Sequence, residues 1–382
     1  MADDGPAFTS ALDFCYRTRR PLIVPGEGQY RVATPITLQP VNVILGQNGK
    51  NTAYYEEAFT MGSQVFQDCE WLFEGSRPGT PDNPYKCTVR MQDMAFVPHD
   101  NRRVDQFSLG ANNPTVNGFH FVELAFSKLR RNFFRSYQKI ISGTLTWLTL
   151  LEDNNFLDVR GSIVTDADLV PAFRACYDST IRGGYANGSL YSANAVLFDL
   201  HYPSFMEWDG IFGDFAQSLI RARSGNGGNK IRNCKLDYMP RGVQLYETAG
   251  WHLHGNITGH NHQGFADRWQ VPLNDPIWTQ PWAGIYLWYQ VSKVLLTGNQ
   301  AIPESSTKNS AQVPVERPVE RLISIDGSGF RDLHVATDNF VGHQDTTRVY
   351  GNIYPDPNYQ NSGRNLDIPA AAWAGTDNIT KH

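Results

Sequence analysis

The most regular feature of this sequence is a two-residue alternation of apolar and polar positions that returns along the C-terminal half. In segments 242–246, 284–288 and 321–326, the pairs Val243 and Leu245, Ile285 and Leu287, and Ile323 and Ile325 fall on one side. A strand with one buried face requires that period. The residues between them form two outward columns, Gln244, Tyr286 and Ser324 in one, Tyr246, Trp288 and Asp326 in the other. A second motif, an Asn that closes an apolar run, recurs at Asn233, Asn256, Asn299 and Asn339, with gaps of 23, 43 and 40 positions. A unit of about one turn of a solenoid, with loops inserted in the longer gaps, accounts for those spacings. Asn suits a fixed place in each turn because its amide hydrogen-bonds along a stack and its backbone tolerates the left-handed conformation of a tight corner.

The N-terminal segment differs. Phe8, Ala11, Leu12 and Cys15 recur at helical spacing behind Asp4 as N-cap, and Pro21 ends the run, which predicts one short amphipathic helix. Short apolar runs broken by Pro and Gly follow at 22–24, 30–32, 36–38 and 41–45, the pattern of closely spaced strands. The predicted fold is therefore all-β, a right-handed single-stranded parallel β-helix with a short N-terminal capping helix, since successive parallel strands joined in one sense wind to the right. The predicted divisions are the helix over 1–20, the β-helix over 21–350 with inserted loops at about 261–283 and 303–318, and a cap or subunit-contact segment over 351–382. A β-propeller would need a repeat of about four strands with a blade motif, and none is present.

The opening Asp4-Gly5, the helix running through Leu12, the Pro25, Gly28 and Tyr30 of a P-x-G-x-Y element, and Val43, Leu45 and Gly46 together resemble the start of pectate-lyase-like phage tailspike depolymerase domains. Pro25 and Tyr30 stand further apart than in that contiguous motif. The resemblance covers roughly the first fifty residues and implies a homotrimeric spike of the virion tail. Such a spike binds or cuts a bacterial surface polysaccharide, whether capsule, exopolysaccharide or O-antigen, alongside other tail proteins. With no head-binding sequence before Asp3, either a trimmed chain or attachment through another protein is expected. A secreted bacterial enzyme is the alternative location. The acidic start, Met1 to Gly5, carries no export signal.

Composition narrows the function. The 33 Gly and 22 Pro punctuate the chain throughout. A net charge of −5 without a basic block argues against nucleic acid as a partner, and the absence of a long apolar run argues against membrane insertion. The five cysteines, Cys15, Cys69, Cys87, Cys176 and Cys234, never form a C-x-x-C pair, so buried free thiols rather than disulfides or zinc are expected. Aromatic residues make up 12%, which suits flat surfaces for sugar stacking.

Candidate chemistry follows from the alternation. With Met206 and Trp208 inward, Glu207 and Asp209 point outward together, as paired carboxylates for glycosidic hydrolysis would. The alternative is a turn role for Asp209, at the Asn233 position one repeat on, and simple solvation for Glu207. Glu247, Asp237 and Asp214 are possible partners across one turn. The assignment is Glu207 or Glu247 as general acid and Asp209 as base, with Tyr246, Tyr286, Trp288 and Trp269 stacking on sugars and Arg221, with Arg223 beside it, pairing with acidic groups. His252 and His254 share an outward face; they are either a general base for β-elimination or plain surface histidines. No third ligand stands at metal-binding spacing beside them, so neither metal nor cofactor is expected. The metal-dependent pectate lyase signature R-x-P-x-x-R is absent, Arg317-Pro318-Val319-Glu320-Arg321 being the nearest stretch, and so are the polygalacturonase motifs. The expected activity is hydrolytic depolymerisation, with a polysaccharide lyase or a non-catalytic receptor-binding spike as alternatives.

Overall fold

Apolar alternation in this chain is converted into strands that pair with the strand one turn further on, always in parallel. The computed structural model describes residues 2–26, 28–47, 62–99, 116–188, 195–260, 282–303, 320–326, 331–335, 340–341 and 379–381. The chain divides into two compact units, 1–191 and 192–382, and each winds through three parallel sheets. The fold is the right-handed parallel β-helix expected from the sequence, with one short helix at its N-terminal end.

In the N-terminal unit, α1 (Gly5–Thr18) packs on the strands Ile36–Leu38 and Val41–Leu45 and buries Phe8 and Leu12. The apolar stripe thereby caps the open end of the stack. Asp3 fixes the entry to the helix, accepting hydrogen bonds from the Gly5, Ala33 and Thr34 amides and the Thr34 hydroxyl. Aromatic rings stack inside this unit along the axis, with Phe96 on Phe134 at 4.8 Å between centroids. A stack of parallel strands about 4.8 Å apart produces that spacing.

In the C-terminal unit each turn visits three sheets in order. Sheet C holds Val196–Leu200, Ser218–Arg223, Arg241–Tyr246, Trp282–Trp288 and Glu320–Asp326. Sheet A holds Glu207–Asp209, Asn226–Arg232, Ala249–His254, Ser292–Thr297 and Arg331–Val335. Sheet B holds Phe212–Asp214, Lys235–Asp237, Ile257–His260, Gln300–Pro303 and Phe340–Val341. The short strand Ile379–Lys381, within the predicted terminal cap, lies parallel to Arg331–Val335.

The alternation reads the interior correctly: Met206, Trp208, Val243, Leu245, Trp251, Leu253, Ile285 and Leu287 are all buried. Cys69, Cys87, Cys176 and Cys234 are buried free thiols, while Cys15 is half-buried. Burial pushes the Cys234 thiol up to about 12, so it is an inert core group.

The Asn ladder departs from the expected register by one residue. The amides of Gly210, Asn233 and Gly255 each donate to the last carbonyl of the next sheet A strand, so these three are equivalent. Their φ values are 66°, 55° and 64°, the left-handed region where Gly and Asn are tolerated. The ladder stands one position later, where Asn256 donates to Asn299 at 2.9 Å and to the Ile231 carbonyl at 3.0 Å. Cys234 fills that place in the preceding turn, and Asp209 pairs with Arg232 rather than with a ladder residue. The spacing misled because Asn is favoured at both adjacent corner positions for different reasons, backbone conformation at one and side-chain bonding at the other. Asn132 and Asn154 form a second such ladder in the N-terminal unit, 3.1 Å apart. Asn339 lies outside the described residues.

Candidate functional site

Sheet C of the C-terminal unit carries the two outward columns expected from the sequence. Gln244 lies opposite Tyr286 and Tyr286 opposite Ser324; Tyr246 lies opposite Trp288 and Trp288 opposite Asp326. The strand before extends both columns, with Arg221 opposite Gln244 and Arg223 opposite Tyr246. Together with Gln217, Arg241 and Leu245, the side chains Arg221, Arg223, Gln244, Tyr246, Tyr286 and Trp288 line a cleft of about 340 Å³.

The two sides of the cleft differ in chemistry. On the aromatic side Tyr246 and Trp288 lie 4.8 Å apart, tilted by 41°. Trp288 is 48% exposed while Tyr286 is 5% exposed; Tyr286 forms the floor and Trp288 a ledge. On the cationic side Asp199 receives Nε and Nη2 of Arg221 at 2.9 and 2.6 Å and Nη2 of Arg223 at 3.3 Å. Arg223 also contacts His201 Nε2 at 2.9 Å. Arg241 lies over the Tyr286 ring at 4.3 Å from its centroid, a cation–π contact. Fork-to-fork pairing with a carboxylate fixes a guanidinium plane far better than solvent does, so the arginines are held in place before any ligand arrives.

Glu247 follows Tyr246 at the corner between sheets C and A with φ of 47°. Partial desolvation and then the negative charge of Glu247 raise Tyr246 above the ordinary tyrosine value. Tyr246 is thus a neutral hydroxyl at physiological pH, fit to donate a hydrogen bond and poorly suited to act as a base.

The other carboxylates stand elsewhere. Glu207 and Asp209 are on sheet A, opposite Lys230 and Arg232, and Arg232 pairs with both, at 3.4 Å to Asp209. Asn233 donates to Asp209 at 3.1 Å. His252 and His254 continue the same two columns one strand on, and both contact the Thr297 hydroxyl, at 3.2 and 2.8 Å. Burial, then His254 and Lys230, lowers His252 below the usual histidine value, so it is neutral near pH 7. Asp214 and Asp237 pair on sheet B. Expecting the acids and the aromatics to form one wall therefore needs correcting. Period two separates inside from outside but not one sheet from the next, and Glu207 and Asp209 belong to sheet A while Tyr246, Tyr286, Trp288 and Arg221 belong to sheet C. Trp269 lies outside the described residues.

Asp199, Gln217 and Arg241 were not legible as site residues. Asp199 and His201 stand 22 positions before Arg221 and Arg223, so opposite charges at the spacing of one turn were the available signal. Among the described residues no group of three His, Cys, Asp or Glu side chains is arranged to hold a metal ion, and no helix is long and apolar enough to cross a membrane.

No family model matches the sequence, and comparison with curated proteins gives no match. Solved structures with similar backbones do exist. DFA-IIIase from Arthrobacter chlorophenolicus A6 in complex with GF2 is 14% identical, with a TM-score of 0.62 over 90% of this chain and 86% of that one. The same enzyme in complex with DFA-III gives 14% identity and a TM-score of 0.59 over 89% and 80%. PfbA, a surface adhesin of Streptococcus pneumoniae, is 17% identical with a TM-score of 0.55 over 89% and 82%. At such identities the likeness is one of fold, and function must be argued from the site.

Proposed function

We propose that this chain binds a polysaccharide along sheet C of its C-terminal unit and cuts it hydrolytically beside Glu247, as a depolymerase of the tailspike kind acting on a bacterial surface glycan. The observation that carries this is the cleft, where three aromatic rings and three guanidinium groups meet on one sheet face. Flat rings stack on the apolar faces of sugars, and fixed polar groups select their hydroxyls. Structures of similar fold include DFA-IIIase crystallised with GF2 and with DFA-III, so a small-molecule site on this fold has precedent.

Glu247 is a carboxylate that directly follows the cleft residue Tyr246, at the corner between sheets C and A. A general acid there protonates the leaving glycosidic oxygen. Glu207 and Asp209, bound to Arg232 on sheet A, would act only on a glycan lying on that face.

A second reading is binding without cleavage. It is favoured by the cleft lining, in which no carboxylate is found among the described residues, whereas hydrolysis draws on two. PfbA, a structure of similar fold described as a surface adhesin, is consistent with it.

The test is to incubate the protein with a panel of bacterial surface polysaccharides and measure both retention of glycan and release of reducing ends. Glu247→Gln should retain glycan and cut about a hundredfold more slowly or worse, and Trp288→Ala should weaken retention about fivefold to tenfold. Undiminished cutting by Glu247→Gln removes that residue from the mechanism, and loss of cutting in Glu207→Gln or Asp209→Asn alone moves the site to sheet A. Retention without any fragments selects the binding reading. Products that absorb in the ultraviolet as unsaturated uronates would select elimination.

A further inference from the structure

Resting on the reading of this protein as a glycan binder, but not on the sheet C cleft, we infer that the N-terminal unit carries a second saccharide site. Its platform is the exposed strip Phe126, Trp147 and Leu148, and its ligand is a neutral glycan that lays the apolar face of a pyranose ring on Trp147.

The strip forms where two neighbouring turns leave one sheet for the next. Strands Asn117–Ala125 and Lys139–Thr146 pair in parallel, with Thr144 opposite Glu123 and Thr146 opposite Ala125. The chain then passes to Lys128–Arg130 and Leu150–Glu152 through corners that hold Phe126, Trp147 and Leu148 at φ of 51°, 49° and 60°. Left-handed backbone is unfavourable for bulky side chains, and these three are also 54%, 44% and 75% exposed. Neither backbone preference nor burial accounts for them. The corner itself requires no aromatic residue: in the C-terminal unit the amides of Ser224 and Glu247 donate to the Tyr246 and Tyr289 carbonyls just as the Phe126 amide donates to Trp147. Large apolar side chains that gather on a surface without stabilising it mark a binding site.

The form of the strip selects the ligand. The Phe126 and Trp147 rings are parallel within 16°, with centroids 6.4 Å apart, and the half-buried Tyr177 ring stands edge-on to Trp147 at 5.2 Å, bracing the indole from one side. Near-parallel rings with exposed faces suit the flat underside of a sugar. Polar groups lie alongside: Lys86 Nζ is 2.8 Å from Glu123 Oε1, and the Thr146 hydroxyl donates to the same oxygen at 3.1 Å. Burial, then the Glu123 charge, raises the Tyr177 phenol, so this pair reaches the ring cluster. It offers donors and acceptors for sugar hydroxyls, and because Lys86 answers Glu123 the flank favours a neutral ligand. A second copy of the chain fits less well. Three side chains about half exposed leave roughly 300–400 Å² of apolar surface, whereas a stable protein interface takes about 800 Å² from each partner.

The measurement is retention by immobilised β-1,3-glucan, β-1,4-galactan, mannan and chitin, and by the bacterial surface polysaccharides, for wild type, Trp147→Ala, Trp147→Tyr, Phe126→Ser and Trp288→Ala. Wild type should be held by at least one neutral polymer. Trp147→Ala should weaken that retention about fivefold to tenfold, Phe126→Ser about twofold to fivefold, and Trp147→Tyr, which keeps a flat ring, should retain most of it. The thermal midpoints should stay close to wild type, since the replaced side chains are exposed. Retention unchanged in Trp147→Ala and Phe126→Ser but weakened in Trp288→Ala overturns the second site and leaves the cleft reading intact; the converse supports the second site and counts against the cleft. Retention of no neutral polymer overturns the second site, and retention of no surface polysaccharide either overturns the glycan reading as well. A dimer in light scattering that Trp147→Ala dissociates would assign the strip to a second copy and overturn the saccharide assignment.

Discussion

Asn256 ties its own turn to both neighbours. Its Nδ2 donates to the Ile231 carbonyl on one side and to Asn299 Oδ1 on the other, and its Oδ1 accepts from the Cys234 amide at 3.1 Å. It is 2% exposed, so truncation strands buried donors and acceptors that water does not reach. Asn256→Ala should lower stability by about 2–4 kcal/mol, read from the urea midpoint with an unchanged slope. A pH effect operates at Asp93 in the N-terminal unit. Burial, the largest single effect, would raise this carboxyl, but Arg131, at 2.7 and 2.6 Å, together with Gln92 and Arg130 outweighs it and holds the group below its usual value. A depressed folded value stabilises above the unfolded value of about 3.9 and ceases to do so as pH falls through the folded one. The stability difference between wild type and Asp93→Asn should therefore be full at neutral pH and shrink steadily below about pH 4; a constant difference down to pH 2 would contradict the pairing.

At the scale of the strand, the corners between sheets decide what each face presents. Between sheets C and A, the strand Asn226–Arg232 slips register against Ala249–His254, from Asn226 to Asn229, and Gly250 adopts a φ of 75°. A Cβ at Gly250 would come within 2.5 Å of the Gly227 Cα. Gly250→Ala should thus cost about 1–3 kcal/mol in thermal or urea unfolding. Gly210, between sheets A and B, is the control: its φ is 66° but nothing lies within 4 Å of an added Cβ. Asn233 holds the equivalent place, so Gly210→Asn should change stability by only a few tenths of a kcal/mol. If both variants are equally destabilised, close backbone approach is not what selects glycine at Gly250.

At the scale of the whole molecule, a chain of net charge −5 brings three guanidinium groups to one cleft, two of them paired with Asp199. Salt screens the field of such groups over about 8 Å at physiological ionic strength. Retention of an acidic glycan should fall several-fold between about 50 and 200 mM salt, while any retention of a carboxyl-reduced glycan should hardly move. Equal sensitivity of the two would locate the salt effect outside the cleft.

How far the sequence reached follows from the same hierarchy. Period two is a local property of an extended chain, so the burial of Val243, Leu245, Trp208 and Trp251 and the pairing of Tyr246 with Trp288 could be read before any coordinates. The coiled, parallel, all-β architecture and the capping helix followed from the repeats and from the spacing of Phe8 and Leu12. Which sheet each strand joins is not local. It depends on how many residues each corner consumes and on whether Asn serves a corner's backbone, as Asn233 does, or the ladder, as Asn256 does. A shift of one residue there leaves the hydrophobic pattern intact yet changes every partner along the stack. For that reason only the tertiary structure set Glu207 and Asp209 apart from the aromatic columns and brought Asp199 and Arg241 to the cleft, because these placements depend on pairing between turns some twenty residues apart.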